Sequence, residues 1–220
     1  MPEDTAVLLD MDGTLIDSRD TVIDCLRLAF RDFGHELDPA EDFTWVVGPP
    51  LIDTITALLL RFDDHRAVEC LGRYRHHYSK RMADPSPVFP GFDGVLEGLI
   101  AAGHRLFLAT SKALPFARRI LDVHGLSPLF SGFYGADMND GNSEKPEIIA
   151  GLLRAEGLAP ARAVMVGDRR YDVAGAQAND VRVIGVLWGY GGREELTAAG
   201  ADALVASPAE LPGAVAGLLR

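Results

Sequence analysis

The chain has 220 residues, 48% hydrophobic and 24% charged, a globular balance with room for one large domain or a domain carrying an insert. A formal charge of -11 and a pI near 4.9 argue against nucleic acid or an anionic membrane as the main partner. No run approaches about 18 apolar residues, the first strand starts too early for a signal peptide, and Cys25 and Cys70 lack metal-ligand spacing. A cytoplasmic protein with two buried thiols is therefore expected.

In chain order, Val7-Leu8-Leu9 reads as a buried strand that ends in Asp10-Met11-Asp12-Gly13-Thr14. Side chains alternate along a strand, so Asp10 and Asp12 can leave its end on the same side. Two such acids repel unless they share a proton or a cation lies between them. Gly13 permits a sharp turn. From Val22 to Phe33 apolar residues recur at helical steps, and Gly34 stops the pattern. Asp38-Pro39 and Gly48-Pro49-Pro50 mark turns, and residues 51–62 and 66–82 again have helical spacing. Only helices and turns are expected over 17–84, ending in the stiff connector Asp84-Pro85-Ser86-Pro87.

Beyond Phe89, helices alternate with strands at 104–110, around Phe133-Tyr134-Gly135, at 163–167 and at 181–186. Alternation of this kind implies a parallel sheet covered on both faces, which the first strand must join. The fold class expected is therefore α/β, a doubly wound, Rossmann-like sheet built from residues 1–16 and 85–220. Residues 17–84 form an all-helical insert. Ligands of such sheets gather beyond the carboxyl ends of the strands.

Three more signals fall at those ends. Thr110-Ser111 suits either a helix N-cap or, with the N–H groups of the next helix, a phosphate oxygen. Lys145 opens a helix, where the dipole disfavours a cation; it is either a solvated lysine or a counterion for clustered negative charge. Asp168 ends a strand and Asp172 lies one helical turn on; the pair either caps the helix or joins Asp10 and Asp12 around a hard cation. Oxygen-only ligation suits Mg²⁺, and no Cys/His cluster competes.

Together, Asp10-Met11-Asp12-Gly13-Thr14, Thr110, Lys145 and Gly167-Asp168 with Asp172 resemble the four motifs of the haloacid dehalogenase superfamily of aspartate-nucleophile phosphotransferases, over nearly the whole chain. The insert at 17–84, the stretch from Gly167 to Ala176 and the segment from Gly185 to Gly191 resemble its phosphoglycolate phosphatase-like branch, which carries a mobile helical cap. One departure is Lys145-Pro146-Glu147-Ile148, which lacks the second proline of the Lys-Pro-x-Pro found in many relatives.

The resemblance implies a Mg²⁺-dependent phosphatase for a small phosphate monoester, acting through an aspartyl-phosphate. Asp10 is the implied nucleophile and Asp12 the general acid/base. Lys145 is the implied charge screen and, with Thr110 and Ser111, a phosphate ligand. Asp10, Asp12 (by its backbone carbonyl), Asp168 and Asp172 (by a bound water) are the implied metal ligands. A sugar phosphomutase, pyrophosphatase or 5'-nucleotidase would share this core, and a catalytically silent binding protein is the alternative outside enzymes. Arg19, Arg75, His76, His77, Lys80 and Arg81 are candidate cationic contacts from the insert, and the turn Val47-Gly48-Pro49-Pro50 is expected to face the substrate. The oligomeric state is not legible.

Overall fold

Strand β1 (Thr5–Leu9) is buried along its full length and lies at the centre of a sheet, which is why its sequence is apolar without alternation. The computed structural model describes residues 5–83, 85–138 and 143–219. Strands β2 (His104–Ala113), β3 (Gly132–Ala136), β4 (Ala163–Gly167), β5 (Arg182–Val186) and β6 (Ala203–Val205) join β1 in the order β3-β2-β1-β4-β5-β6. Every pairing is parallel. The order reverses at β1, so the crevice beyond its carboxyl end is the switch point of a doubly wound sheet.

Alternation along β1 divides the core. Val7 and Leu9 face one apolar layer with Leu106, Leu108, Val164 and Val166; Ala6 and Leu8 face the other with Phe107, Ala109 and Met165. Helices α6 (Lys145–Glu156) and α7 (Arg170–Gln177) cover the second face through Ile149, Leu152, Val173 and Ala176. Helices α5 (Leu114–Val123) and α9 (Leu211–Leu218) bury Ile120, Leu121, Leu211 and Val215 on the first. Helix α4 (Val95–Ala101) precedes β2, and α8 (Gly192–Ala199) lies between β5 and β6.

Between β1 and α4 the described chain forms helices α1 (Arg19–Asp32), α2 (Leu51–Leu59) and α3 (Ala67–Lys80) with short 3-10 turns, as the helical spacing predicts. Helix α1 buries Val22, Cys25, Leu26, Ala29 and Phe30 on one stripe. Cys25 and Cys70 are both buried and free. The chain leaves and re-enters the sheet region side by side: Asp17 N–H donates to Pro87 O at 2.9 Å and Phe89 N–H donates to Leu15 O at 2.9 Å. Asp84, the first residue of the expected connector, lies outside the described residues, as do 139–142 of the loop after β3. No described helix is long and apolar enough to cross a membrane.

One element corrects the sequence. The second strand does not stop at Thr110; it runs on through Ser111 and Lys112 to Ala113, with an irregularity in its pairing to β3 between Thr110 and Ala113. Helix α5 starts at Leu114, with Pro115 in its first turn, where a helix accepts a proline. The helix thus begins one residue after the expected Ala113, and Thr110, Ser111, Lys112 and Ala113 all line the same cavity.

Candidate active site

Asp10 follows β1 directly, Asp168 follows β4, Thr110 lies in the terminal half of β2, and Lys145 is the first residue of α6. These four positions, separated by up to 158 residues in sequence, converge because β2, β1 and β4 are adjacent and parallel. Lys145 Nζ lies 2.8 Å from Asp10 Oδ1, 2.8 Å from Asp172 Oδ1 and 3.0 Å from the carbonyl of Ala109. The ammonium donates hydrogen bonds to Asp10 and to the Ala109 carbonyl, whereas Asp172 Oδ1 is an ion-pair neighbour that is buried and accepts no hydrogen bond. Burial pulls the Lys145 pKa down, but Asp10 and Asp172 outweigh it and hold the ammonium above the ordinary lysine value. Lys145 is a buried counterion, and the alternative of a solvated lysine is set aside by its 3% exposure.

Carboxylate oxygens of Asp10, Asp168 and Asp172 lie within 4.8 Å of one another. Lys145 is paired with two of these three acids, Asp10 and Asp172. Burial lifts the Asp10 carboxyl to about 6; Lys145 opposes the rise, while Asp172 and Asp12 add to it. Burial, then Asp172 and Asp10, push the Asp168 carboxyl well above the usual range, although Tyr190 N–H donates to its Oδ2 at 2.7 Å. Asp172 also accepts the Arg169 N–H at 3.1 Å and so closes the start of α7. Asp172 thus closes the helix start and also lies in the cluster with Asp10 and Asp168, a group that does not include the Asp12 carboxylate.

Glycines let these charged groups approach. A Cβ on Gly13, whose φ is +87°, would stand 2.3 Å from Asp168 Oδ2. On Gly175 it would stand 2.6 Å from Lys145 Cγ. Alanine favours a helix over glycine by about 1 kcal/mol, but forcing a methyl into filled space costs roughly 1–3 kcal/mol. Gly175→Ala is therefore expected to destabilise the fold by about 1–2 kcal/mol and to reduce activity by displacing Lys145. Gly151→Ala in α6, where nothing lies within 4 Å of the added carbon, is the matched control and should be neutral or stabilising in urea melts.

Asp10, Asp12, Thr110, Ser111 and Lys112 line a cavity of about 70 Å³, whose opposite wall includes Val46, Val47, Gly48, Pro49, Leu51, Tyr74, Arg75 and Tyr78 from the helical segment. The turn at 47–50 thus faces the site, as its sequence suggested. Lys145, Asp168 and Asp172 are not part of that wall. Of the cations expected from the insert, only Arg75 lines the cavity; it also donates to the carbonyl of Met138. Arg19 pairs with Asp20, His77 with Asp32 and Arg81 with Asp24, while His76 and Lys80 are exposed.

Two site residues were missed in the sequence. Lys112 Nζ lies 3.0 and 2.9 Å from the two carboxylate oxygens of Asp12. Strand alternation places it on the side of Thr110, but the expected strand, 104–110, stops three residues short of the observed end at Ala113. Arg169, buried beside Asp168, donates Nε–H to Glu195 at 2.9 Å and its guanidinium to the carbonyl of Val47, gripping the turn that faces the cavity. Nothing local announces that contact across 122 residues.

A family model described as haloacid dehalogenase-like hydrolase matches residues 7–186. A 5'-nucleotidase of Pseudomonas aeruginosa is 35% identical over 192 residues, 87% of this chain and 86% of that protein. A phosphoglycolate phosphatase of Cupriavidus necator is 32% identical, over 94% of this chain and 91% of the other. The tyrosine-protein kinase PtkA of Mycobacterium tuberculosis is 38% identical over 84% of this chain, which spans 62% of that longer protein. Among solved structures, a predicted phosphatase from Clostridium acetobutylicum superposes with a TM-score of 0.91 at 31% identity, covering 98% of this chain and 100% of the other.

Proposed function

The chain belongs to the haloacid dehalogenase-like hydrolases and is a phosphatase; from that premise we propose that it hydrolyses a compact phosphate monoester with Asp10 as nucleophile and Mg²⁺ as cofactor. The observation that carries this function is the clustering of Asp10, Asp168 and Asp172 at the switch point of the sheet, with Lys145 paired to Asp10 and Asp172. Three buried acids with one lysine are under-compensated, and their donor atoms are all oxygen, which fits a hard divalent cation. Asp10, Asp168 and the backbone carbonyl of Asp12 would hold it, with Asp172 acting through a water. When bound, the cation neutralises carboxylate and phosphate charge so that the two anions can meet.

The remaining chemistry falls to the chain's own side chains. Lys145 occupies Oδ1 of Asp10, leaving Oδ2 to attack phosphorus. The phosphorus–oxygen bond of the ester breaks as the aspartyl-phosphate forms, and Asp12 supplies the proton that the leaving alkoxide needs. Asp12 then takes a proton from the water that hydrolyses the acyl-phosphate. Thr110 and Ser111, at the cavity wall, orient the phosphoryl oxygens. Residues 17–84 act as a cap that closes over the site and limits water to the nucleophile.

A cavity of about 70 Å³ holds roughly five waters, enough for a phosphate and a few further heavy atoms. A small ester of the phosphoglycolate type, the substrate class named for the Cupriavidus relative, is the first substrate to test. A 5'-nucleotidase, the activity named for the Pseudomonas relative, would need the cap to open further around the nucleoside.

The test is phosphate release from 4-nitrophenyl phosphate with Mg²⁺ and with excess chelator, followed by a panel of phosphometabolites that includes nucleoside monophosphates. Turnover that stops with chelator supports the proposal; no turnover on any substrate overturns it. A second expected outcome concerns pH. Protons compete with the cation for Asp10, whose pKa is about 6, so Mg²⁺ affinity should weaken as pH falls through that value and binding should release protons. Calorimetric titrations about one unit below and one unit above it, in buffers of different ionisation enthalpy, measure both effects.

A further inference from the structure

Asp12 and Asp10 are each gripped by a different lysine. Lys145 holds Asp10, whereas Lys112 holds Asp12 by both carboxylate oxygens. The Lys112 side chain is 8% exposed, and Asp12 is 14% exposed. Its Nζ also lies 4.5 Å from the centre of the Tyr78 ring, within cation–π range. Tyr78 belongs to α3 and is itself packed at 5.6 Å against Tyr74 and at 5.3 Å against Phe116 of α5.

An ammonium has three donors. Two point at Asp12 and the third side of the group faces the Tyr78 ring, so in this arrangement none is left for a substrate phosphate. The lysine comes from the irregular stretch of β2 between Thr110 and Ala113, which fixes its backbone in the sheet while its head reaches the helical segment.

Given the acid/base role assigned to Asp12 above, on which this rests, we propose that Lys112 is the positioning residue of that acid/base. It aims the Asp12 carboxylate into the cavity and ties that aim to the seating of α3 through Tyr78. Without the ammonium, Asp12 can rotate about its side-chain bonds and no longer meets the ester oxygen.

The dependence on leaving group separates this role from phosphate binding. An alkyl leaving group needs its proton in the transition state, whereas 4-nitrophenolate does not. Values of kcat/KM report the step in which the leaving group departs. Lys112→Met is therefore expected to reduce kcat/KM for ethyl phosphate at least about tenfold more than for 4-nitrophenyl phosphate. Asp12→Asn should show the same ordering with a larger gap. Lys112→Arg, which can grip both oxygens, should recover ethyl phosphate hydrolysis selectively. In the double variant Asp12→Asn/Lys112→Met the second substitution should add little, because the lysine acts through the missing carboxylate. Should Lys112→Met fail to fold, Lys112→Gln is measured on the same two substrates.

Equal losses on both esters would overturn the role of Lys112 and make it a general phosphate or packing contact. If the unsubstituted enzyme hydrolyses neither ester, or Asp12→Asn loses both equally, the failure belongs to the function proposed above.

Discussion

Asp10→Asn is expected to lower kcat for phosphate release by at least about 10⁴-fold while leaving the fold as stable as before, or more so. The two effects come from one feature. In the proposed mechanism Asp10 Oδ2 is the attacking oxygen, and an amide cannot form the acyl-phosphate. The carboxyl is also the strained member of a crowded cluster, with a pKa of about 6 against an ordinary 3.8. The folded chain therefore holds this proton more tightly than the unfolded chain does. Its ionisation lowers stability as pH rises from about 4 through about 6 and leaves that cost in place at neutral pH. Asparagine keeps the shape and removes the charge. Phosphate release, intact mass after acid quench and a thermal melt near pH 7.5 measure the three consequences. Activity within tenfold of the original, or a mass gain of one phosphoryl group in the variant, would reject Asp10 as nucleophile.

Lys145→Met should harm both properties together. Removing one partner of a buried charged set typically costs about 3–5 kcal/mol, because the remaining charges stay in a poor solvent. Here Asp10 and the carbonyl of Ala109 lose a donor and Asp172 loses its counter-charge at once. Against a total stability on the order of 5–15 kcal/mol, the loss should appear as a large shift of the urea midpoint. Activity should fall by roughly 10³-fold or more, since the phosphate dianion and Asp10 then repel without screening. Adding Asp172→Asn should restore part of the stability and little of the activity. A variant that melts like the original protein would show that Lys145 carries no buried charge balance, which the 2.8 Å contacts forbid.

The central strands and the residues at their ends were legible because each is a local signal. An unbroken apolar run such as Val7-Leu8-Leu9 or Ala163-Val164-Met165-Val166 has one stable location, the middle of a sheet covered on both faces. Asp10 and Asp168, placed at the ends of such runs, must then emerge at the same rim if the strands are parallel. Lys145 announced itself by standing where a helix dipole repels a cation. The helical spacing of the insert was equally plain, and α1, α2 and α3 fall within one to three residues of where it puts them.

Less of the site's supporting structure could be read. The strand through Thr110 continues to Ala113, where it pairs with Ala136 of β3, a long-range contact that no local pattern announces. Lys112 and Arg169 are ordinary cations in the sequence, and their partners Asp12, Tyr78 and Val47 lie 34 to 122 residues away.

By itself, then, the sequence determined an α/β chain with a helical insert, its family, and four acids, a lysine and two hydroxyls bound for one rim. Tertiary structure alone decided which lysine faces which acid, that Arg75 is the cation of the expected set that lines the cavity, and that Arg169 grips the turn across from it. The physical reason is range. Propensity and periodicity act over a few residues, whereas a buried charge is satisfied only by whatever the folded chain brings within about 3 Å of it.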